Sequence, residues 1–170
     1  CSNKASAFSM AVSRSGFAYA VLDDGSLQQI DVKTAKCTGT AFKKNQQGFQ
    51  TFGMGFTSKD ATEETLFVSD SGGDGLGKID LGTFVLTKVG KYDKLTNRRA
   101  ELTGNSAGEL FGAFEGSPYD VAQIDPSSAK ILSVAQQKSV GTGGSYNFAF
   151  ANWGGLFFLF VGPGPSTEVF

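Results

Sequence analysis

The stretch Leu66–Asp80, with the sequence LFVSDSGGDGLGKID, decides the fold class of this chain. A β-branched and aromatic run opens it, a glycine-rich turn follows, and a second short run ends on Ile79 and Asp80. Short strand-forming runs separated by Gly and Asp are typical of neighbouring antiparallel strands. The stretch therefore predicts two adjacent strands joined by a turn.

The Ile-Asp ending of this stretch recurs along the chain. Ile30-Asp31, Ile79-Asp80 and Ile124-Asp125 are separated by 49 and 45 residues. A strand start lies 13 or 14 residues before each pair, and a fourth start lies 46 residues after the third. These starts are Phe17, Leu66, Leu110 and Leu156. A unit of about 45 residues with four short strands is the size of one β-propeller blade.

The repeat predicts an all-β chain folded as a partial β-propeller of four-stranded antiparallel blades. The predicted blades span about residues 1–46, 50–97 and 99–142, and an incomplete fourth blade spans about 145–170. Each blade is apolar on both faces and buries them by stacking on its neighbours. We expect small residues such as Gly53 and Gly55 on the inner strands near the axis. Ser127–Gln137 is compatible with a helix or a strand, and elsewhere we expect hardly any helix.

Composition narrows the classes of function. The 170 residues include 23 Gly, 16 Phe and no His, and the net charge is −1. The lack of His excludes Ser-His-Asp and Cys-His catalysis and every His-ligated metal site. A charge near zero argues against a nucleic-acid partner. The longest apolar run, Leu156–Val161, is far shorter than the roughly 20 residues of a transmembrane segment.

The two cysteines and the N-terminal residues point to an exported protein. Cys1 and Cys37 are candidates for one disulfide, and two unpaired thiols are the alternative. Cys1-Ser2-Asn3 also resembles the start of a bacterial lipoprotein, in which the first Cys carries the lipid. We therefore expect a secreted or cell-envelope protein, and a lipid anchor at Cys1 is one form that this localisation takes.

Three segments carry a resemblance to known proteins. Leu66–Asp80, Ala100–Gly104 and Asn152–Phe157 resemble repeats of exported β-propeller-like proteins of myxobacteria, and the likeness extends from about Phe8 to Phe170. Because those proteins are largely uncharacterised, the resemblance implies propeller blades in an envelope or secreted protein and no activity. In such relatives a cysteine near Met10 often accompanies one near Cys37, and Met10 departs from that pattern.

Two aromatic residues in predicted turns are candidates for ligand binding. Trp153 stands beside Gly154-Gly155, and Tyr119 stands beside Pro118. Aromatic faces stack on the apolar faces of sugar rings, so an accessible ring in a turn suits a glycan. The Phe residues around Trp153 are expected in the core.

The loop Asp70–Gly75 is a candidate for Ca²⁺, with Asp70 and Asp74 as ligands. The alternative is a glycine turn whose carboxylates hydrogen-bond their own backbone. That structural interpretation is also expected for Asp31, Asp80 and Asp125, because turn-forming residues follow each of them.

Adjacent charged residues are expected in solvated turns and linkers rather than in sites. The acidic pairs are Asp23-Asp24 and Glu63-Glu64, and the basic pair is Arg98-Arg99. Neighbours in sequence tend to point apart, whereas a glycosidase needs two acids that face one substrate.

These observations favour a non-catalytic binding or scaffold module of an exported or envelope-associated bacterial protein. Its rim turns would engage a protein or a glycan, without a cofactor. The alternative is a propeller-fold enzyme, a lyase or a glycoside hydrolase, with channel-facing carboxylates. Three and a half blades cannot close a ring, so we expect a second copy or a complementary fragment to complete the propeller.

Overall fold

The computed structural model describes residues 4–138, 147–162 and 168–170. These residues form four consecutive antiparallel sheets in a propeller arrangement, with a 3-10 turn at Gln46–Gly48 and no α-helix. The prediction of an all-β propeller is confirmed. Within the same residues, no helix has the length and apolar character needed to cross a membrane.

Strands pair in chain order within each blade, so every blade is a meander. Blade 1 contains β1 (Ala7–Val12), β2 (Phe17–Leu22), β3 (Leu27–Asp31) and β4 (Cys37–Gly39). Blade 2 contains β5 (Phe52–Ser58), β6 (Glu64–Asp70), β7 (Leu76–Ile79) and β8 (Leu86–Gly90). Blade 3 contains β9 (Ala100–Gly104), β10 (Leu110–Phe114), β11 (Tyr119–Ile124) and β12 (Ile131–Gln137). Blade 4 contains, in its described part, β13 (Asn147–Trp153), β14 (Leu156–Gly162) and β15 (Glu168–Val169).

The segment Ser127–Gln137, for which the sequence allows a helix or a strand, divides into a turn and a strand. Residues 125–130 form the turn between β11 and β12, and the strand interpretation holds from Ile131 onward. Strand β12 is the outer strand of blade 3 and is mostly exposed after Ile131.

The first strand of each blade lies innermost, and β1, β5, β9 and β13 pack successively around the axis. Glycine is required where they meet, because a Cβ atom on Gly53 would overlap the carbonyl oxygen of Ala100. A Cβ on Gly55 would likewise lie 2.7 Å from the Leu102 backbone. The expectation of small residues on the inner strands is confirmed at both positions.

Apolar side chains fill the spaces between successive blades. One buried cluster joins blades 1 and 2 and includes Val21, Met54 and Val68. A second joins blades 2 and 3, and a third joins blades 3 and 4 around Phe150 and Leu159. The three clusters leave one face of blade 1 and one face of blade 4 without a described neighbour, and we call these two surfaces the open faces.

Candidate functional site: a cleft on the propeller rim

The turns after the four inner strands surround one cleft of about 850 Å³, which we call the rim cleft. Blade 1 contributes Arg14, blade 2 contributes Ser58 and Glu64, blade 3 contributes Asn105, and blade 4 contributes Trp153. The cleft therefore combines aromatic rings, of which Trp153 is the most exposed, with polar and charged side chains.

Trp153 stands at the end of β13, where a two-residue turn reverses the chain. Gly154 and Gly155 adopt φ values of 60° and 79°, and Trp153 pairs with Leu156 across them. Two consecutive residues with positive φ are typical of the tight hairpin turns that match the strand twist, and glycine adopts them without strain. The turn leaves Trp153 78% exposed at the edge of the rim cleft.

Hydrogen bonds between turns fix the opposite wall of the rim cleft. Arg14 donates through its guanidinium to the Ala61 carbonyl at 2.9 Å, and its backbone N–H donates to Glu64 at 3.0 Å. Asn105 accepts the backbone N–H groups of Ala107 and Glu109, each at 3.0 Å. The wall is thus preorganised by contacts within and between blades.

Tyr119, the second aromatic candidate, lies in the core rather than in an accessible turn. It is 1% exposed, and its ring packs edge-on against Phe148 at 5.3 Å between centroids. The reason is that Tyr119 begins β11 and faces blade 4, while the turn ends at Pro118. The expectation of an accessible Tyr119 is wrong.

Asp70 and Asp74 are engaged by the protein itself. Asp70 is 6% exposed and accepts the backbone N–H of Asp74 at 3.1 Å. Asp74 forms ion pairs with Lys88 at 3.2 Å and Lys91 at 3.6 Å, and these lysines hold its pKa below the usual range. No three Asp, Glu, Cys or His side chains of the described residues gather into a metal-binding group. Ca²⁺ binding by this loop stays a prediction.

The recurring Asp of the Ile-Asp pairs shapes turns, as predicted. Asp31 Oδ1 accepts the N–H groups of Lys33 and Thr34, each at 2.9 Å. Asp80 does the same with the residues two and three positions further on. Asp125 accepts from Ser127 and Ser128, and these hydrogen bonds lower its pKa to about 2.

Three of the four paired acids, Asp23, Asp24 and Glu63, lie in exposed turns, as expected. Asp24 pairs with Lys44 at 2.7 Å, and Glu63 pairs with Lys59 at 2.5 Å. Glu64 differs from Glu63 because it is largely buried beside Arg14 and contributes to the rim cleft.

Arg98 and Arg99 form a structural pair rather than the expected solvated linker. Arg98 forms an ion pair with Asp120 and donates a hydrogen bond to the carbonyl oxygen of Phe114. Arg99 pairs with Glu115 at 3.1 Å, and its guanidinium lies over the Phe148 ring at 5.0 Å. Guanidinium groups suit such sites because they combine planar hydrogen bonding with stacking on rings.

Glu101 is the functional candidate that the sequence analysis missed. It is 8% exposed on inner strand β9 and accepts the Ser9 hydroxyl of blade 1 at 2.7 Å. The Ser9 oxygen in turn accepts the Met54 N–H of blade 2 at 3.2 Å. Burial raises the pKa of Glu101 to about 8, although Ser9 and Arg99 act in the opposite direction. An acid within an otherwise uncharged inner strand is the sequence signal that marks it.

Cys37 opens β4, and its sulfur belongs to a disulfide. Cys1 lies outside the described residues, so the pairing of Cys1 with Cys37 stays a prediction.

No protein-family model and no curated protein matches this chain. Solved structures are similar in fold. A GH43 glycoside hydrolase whose active site was engineered to give both endo-xylanase and exo-arabinofuranosidase activity has a TM-score of 0.65 and 11% identity, over 95% of this chain and 37% of that chain. The Myxococcus xanthus glutaminyl cyclase has a TM-score of 0.55 and 18% identity, over 90% of this chain and 66% of its own. The Dos1 propeller has a TM-score of 0.56 and 12% identity, over 96% of this chain and 44% of that one.

The chain spans between 37% and 66% of the lengths of these three structures. At such identities the likeness shows the fold alone, so the activities of the hydrolase and the cyclase remain theirs. The resemblance to myxobacterial repeats likewise stays a proposal. The structure and its neighbours together assign a β-propeller fold to the chain.

Proposed function

We propose that the chain is a non-catalytic binding module and that its rim cleft engages a glycan. The observation that carries this proposal is the exposed ring of Trp153 beside a polar wall. An aromatic ring provides an apolar face for a sugar, and the wall offers hydrogen-bonding groups from Asn105, Ser106 and Asn152. A protein segment is the other class of partner, and it would use the same ring as an anchor.

The experiment that tests the proposal is a glycan array followed by titration of the bound sugars, with Trp153→Ala as the variant. We expect affinity to fall about tenfold or more, since exposed aromatic anchors carry much of the binding energy. Leu132→Ala is the matched control, because Leu132 is 57% exposed on the outer strand β12 and lies away from the cleft. Equal affinities of the two variants, or binding of proteins but no glycan, would contradict the glycan assignment.

An enzyme is the alternative proposal, and Glu101 is the observation that favours it. A buried carboxyl with a raised pKa is a common property of general acids. However, Glu101 is the single acidic residue on the inner strands as described, which are β1, β5, β9 and β13. Glycoside hydrolysis generally requires two carboxylates that flank the scissile bond. The non-catalytic proposal therefore has more support from the geometry.

Localisation and assembly are parts of the same proposal. The disulfide at Cys37 supports an exported protein, because disulfides persist in oxidising compartments. We assign the protein to the cell envelope or the exterior, with lipid attachment at Cys1 as a further proposal. A second copy or a complementary fragment covers the open faces of blades 1 and 4.

A further inference from the structure

The charged side chains that line the rim cleft do not balance. Its described lining contains one cation, Arg14, and two carboxylates, Glu64 and Glu109. Arg14 and Glu64 form an ion pair, with 3.5 Å between the guanidinium Nε and the carboxylate oxygen. Glu109 forms no ion pair with any described residue, and residues 139–146 and 163–167, outside the described ranges, include no Lys or Arg. One negative charge of the lining therefore lacks a positive partner.

Hydrogen bonds orient the Glu109 carboxylate and leave it exposed. Its Oε2 accepts the side-chain amide of Asn105 at 2.6 Å, and its Oε1 accepts the side-chain amide of Gln123 at 3.1 Å. Both donors are uncharged, so they fix the carboxylate without neutralising it. Each carboxylate oxygen accepts more than one hydrogen bond, and Glu109 lies in an exposed turn. The carboxylate can therefore receive a donor from a ligand as well.

Arg14, the cation of the lining, is engaged by blade 2. Its guanidinium donates hydrogen bonds to the Ala61 carbonyl and to the Ser58 hydroxyl, beside its ion pair with Glu64. An anionic sugar in the rim cleft would have to displace these contacts and would also face the Glu109 carboxylate. The charges of the lining therefore disfavour uronic acids and sulfated sugars.

Glu109 and Trp153 lie on adjacent turns of blades 3 and 4. The backbone N–H of Asn152 donates to the Thr103 hydroxyl at 3.1 Å, which joins the end of β13 to the end of β9. Trp153 directly follows Asn152, and Glu109 closes the turn that follows β9. An indole ring attracts a cation over its face more strongly than a Tyr or Phe ring does. A positive charge on the ligand therefore suits both the carboxylate and the ring.

We propose that the rim cleft recognises a glycan that carries a free, positively charged amino group. The ammonium group pairs with Glu109, and the sugar ring lies against Trp153. This inference rests on the proposed function above and narrows its ligand to sugars whose amino group is not acylated.

A matched pair of ligands tests the need for a positive charge. Tetramers of glucosamine and of N-acetylglucosamine have the same sugar backbone, and only the first has charged nitrogen atoms. Both are titrated into the full chain by calorimetry, with a glucuronic acid tetramer as the anionic comparison. We expect the glucosamine tetramer to bind about fivefold or more tightly than the acetylated one, through an ion pair and a cation–π contact. This preference should shrink at high salt, because exposed charges are screened.

Two carboxylate variants separate the role of Glu109 from a general effect of charge. Glu109→Gln should reduce the preference to less than about twofold, while the affinity for the acetylated tetramer stays nearly unchanged. Glu63→Gln is the matched control, because Glu63 is also exposed in a turn, pairs with Lys59 and does not line the rim cleft. This control should retain the preference. Circular dichroism checks the fold of both variants, and the ligand pair tests the unsubstituted chain independently of them.

Some outcomes would overturn the amino-sugar inference and leave glycan binding standing. These are equal affinities of the two tetramers, tighter binding of the glucuronic acid tetramer, or binding of other glycans of the array but of neither tetramer. A preference that survives in Glu109→Gln, or that Glu63→Gln removes equally, would likewise overturn it. Absence of binding to every glycan would overturn this inference and the proposed function together, whether or not a lysine-rich peptide binds.

Discussion

Blade 2 lies between two neighbours, whereas blade 4 packs against a described neighbour on one face only. Both blades have inner strands that alternate small and large apolar residues, Phe52–Ser58 in blade 2 and Asn147–Trp153 in blade 4. Most of β5 and β6 is buried, whereas the buried residues of β13 and β14 are Phe150, Leu159 and Val161. A blade sequence therefore places apolar residues on two faces, and each face is buried only where another blade packs against it.

The largest expected effect comes from the inner strand of blade 2. Gly53→Val places a side chain into the Ala100 backbone, so we expect a loss of about 4 kcal/mol or more in the free energy of unfolding. Ala149→Val is the control, because Ala149 lies on the open face of blade 4. Urea titration followed by circular dichroism measures both. Similar losses in the two variants would contradict the conclusion that blade 2 is covered on both faces and blade 4 on one face only.

Side-chain truncation sharpens the same comparison. Leu66 in β6 is 1% exposed, so Leu66→Ala should cost about 3 kcal/mol through lost burial and a cavity. In the chain without a partner, Leu156→Ala in blade 4 should cost less than about 0.5 kcal/mol, because Leu156 is 63% exposed. Thermal and urea unfolding check both values. A large loss on truncating Leu156 would show that another segment covers the open face of blade 4.

Glu101 on inner strand β9 makes the free energy of unfolding depend on pH. The pKa of Glu101 is about 8 in the folded chain against an ordinary value of 4.5, so the folded state binds more protons between these values. The contribution of Glu101 to the free energy of unfolding is therefore greatest below about pH 4.5. Between this pH and about pH 8 the contribution falls by up to about 1.4 kcal/mol per pH unit. Glu101→Gln keeps an acceptor for Ser9 and cannot ionise. It should remove this slope, and an unchanged slope would refute the assignment.

The smallest expected effect concerns Ca²⁺. The lysines beside Asp74 oppose a cation, and Asp70 is occupied by backbone hydrogen bonding. We expect EDTA to shift the melting temperature by less than about 1 °C, because a bound ion would stabilise the folded state by mass action. Asp74→Asn is the companion variant. A clear fall in melting temperature with EDTA that disappears in Asp74→Asn would establish a Ca²⁺ site.

The repeat in the sequence predicted the blades because it reflects local chemistry. Strand runs, glycine turns and the capping role of Asp31 or Asp80 depend on neighbours close in sequence. Trp153 was predicted to be accessible for the same reason, since Gly154-Gly155 forces a tight turn and places Trp153 at its edge.

Other residues depend on contacts that the sequence does not specify locally. Tyr119 is buried because blade 4 packs on it, and Arg98 and Arg99 are engaged by residues of β11, blade 4 and the β10–β11 turn. Glu101 meets Ser9 across 92 positions of sequence, so no local pattern predicts their contact. The geometry of the rim cleft likewise arises from four turns that lie far apart in the chain.

Amide hydrogen exchange resolved along the chain tests most directly the claim that neighbouring blades determine the stability of each blade. We expect the slowest exchange in β5, β6, β9 and β10, whose blades are covered on both faces. We expect faster exchange, through local opening, in β13 and β14 of blade 4. Equal protection of all four blades, or slower exchange in blade 4 than in blade 2, would show that the stability of a blade does not depend on its neighbours.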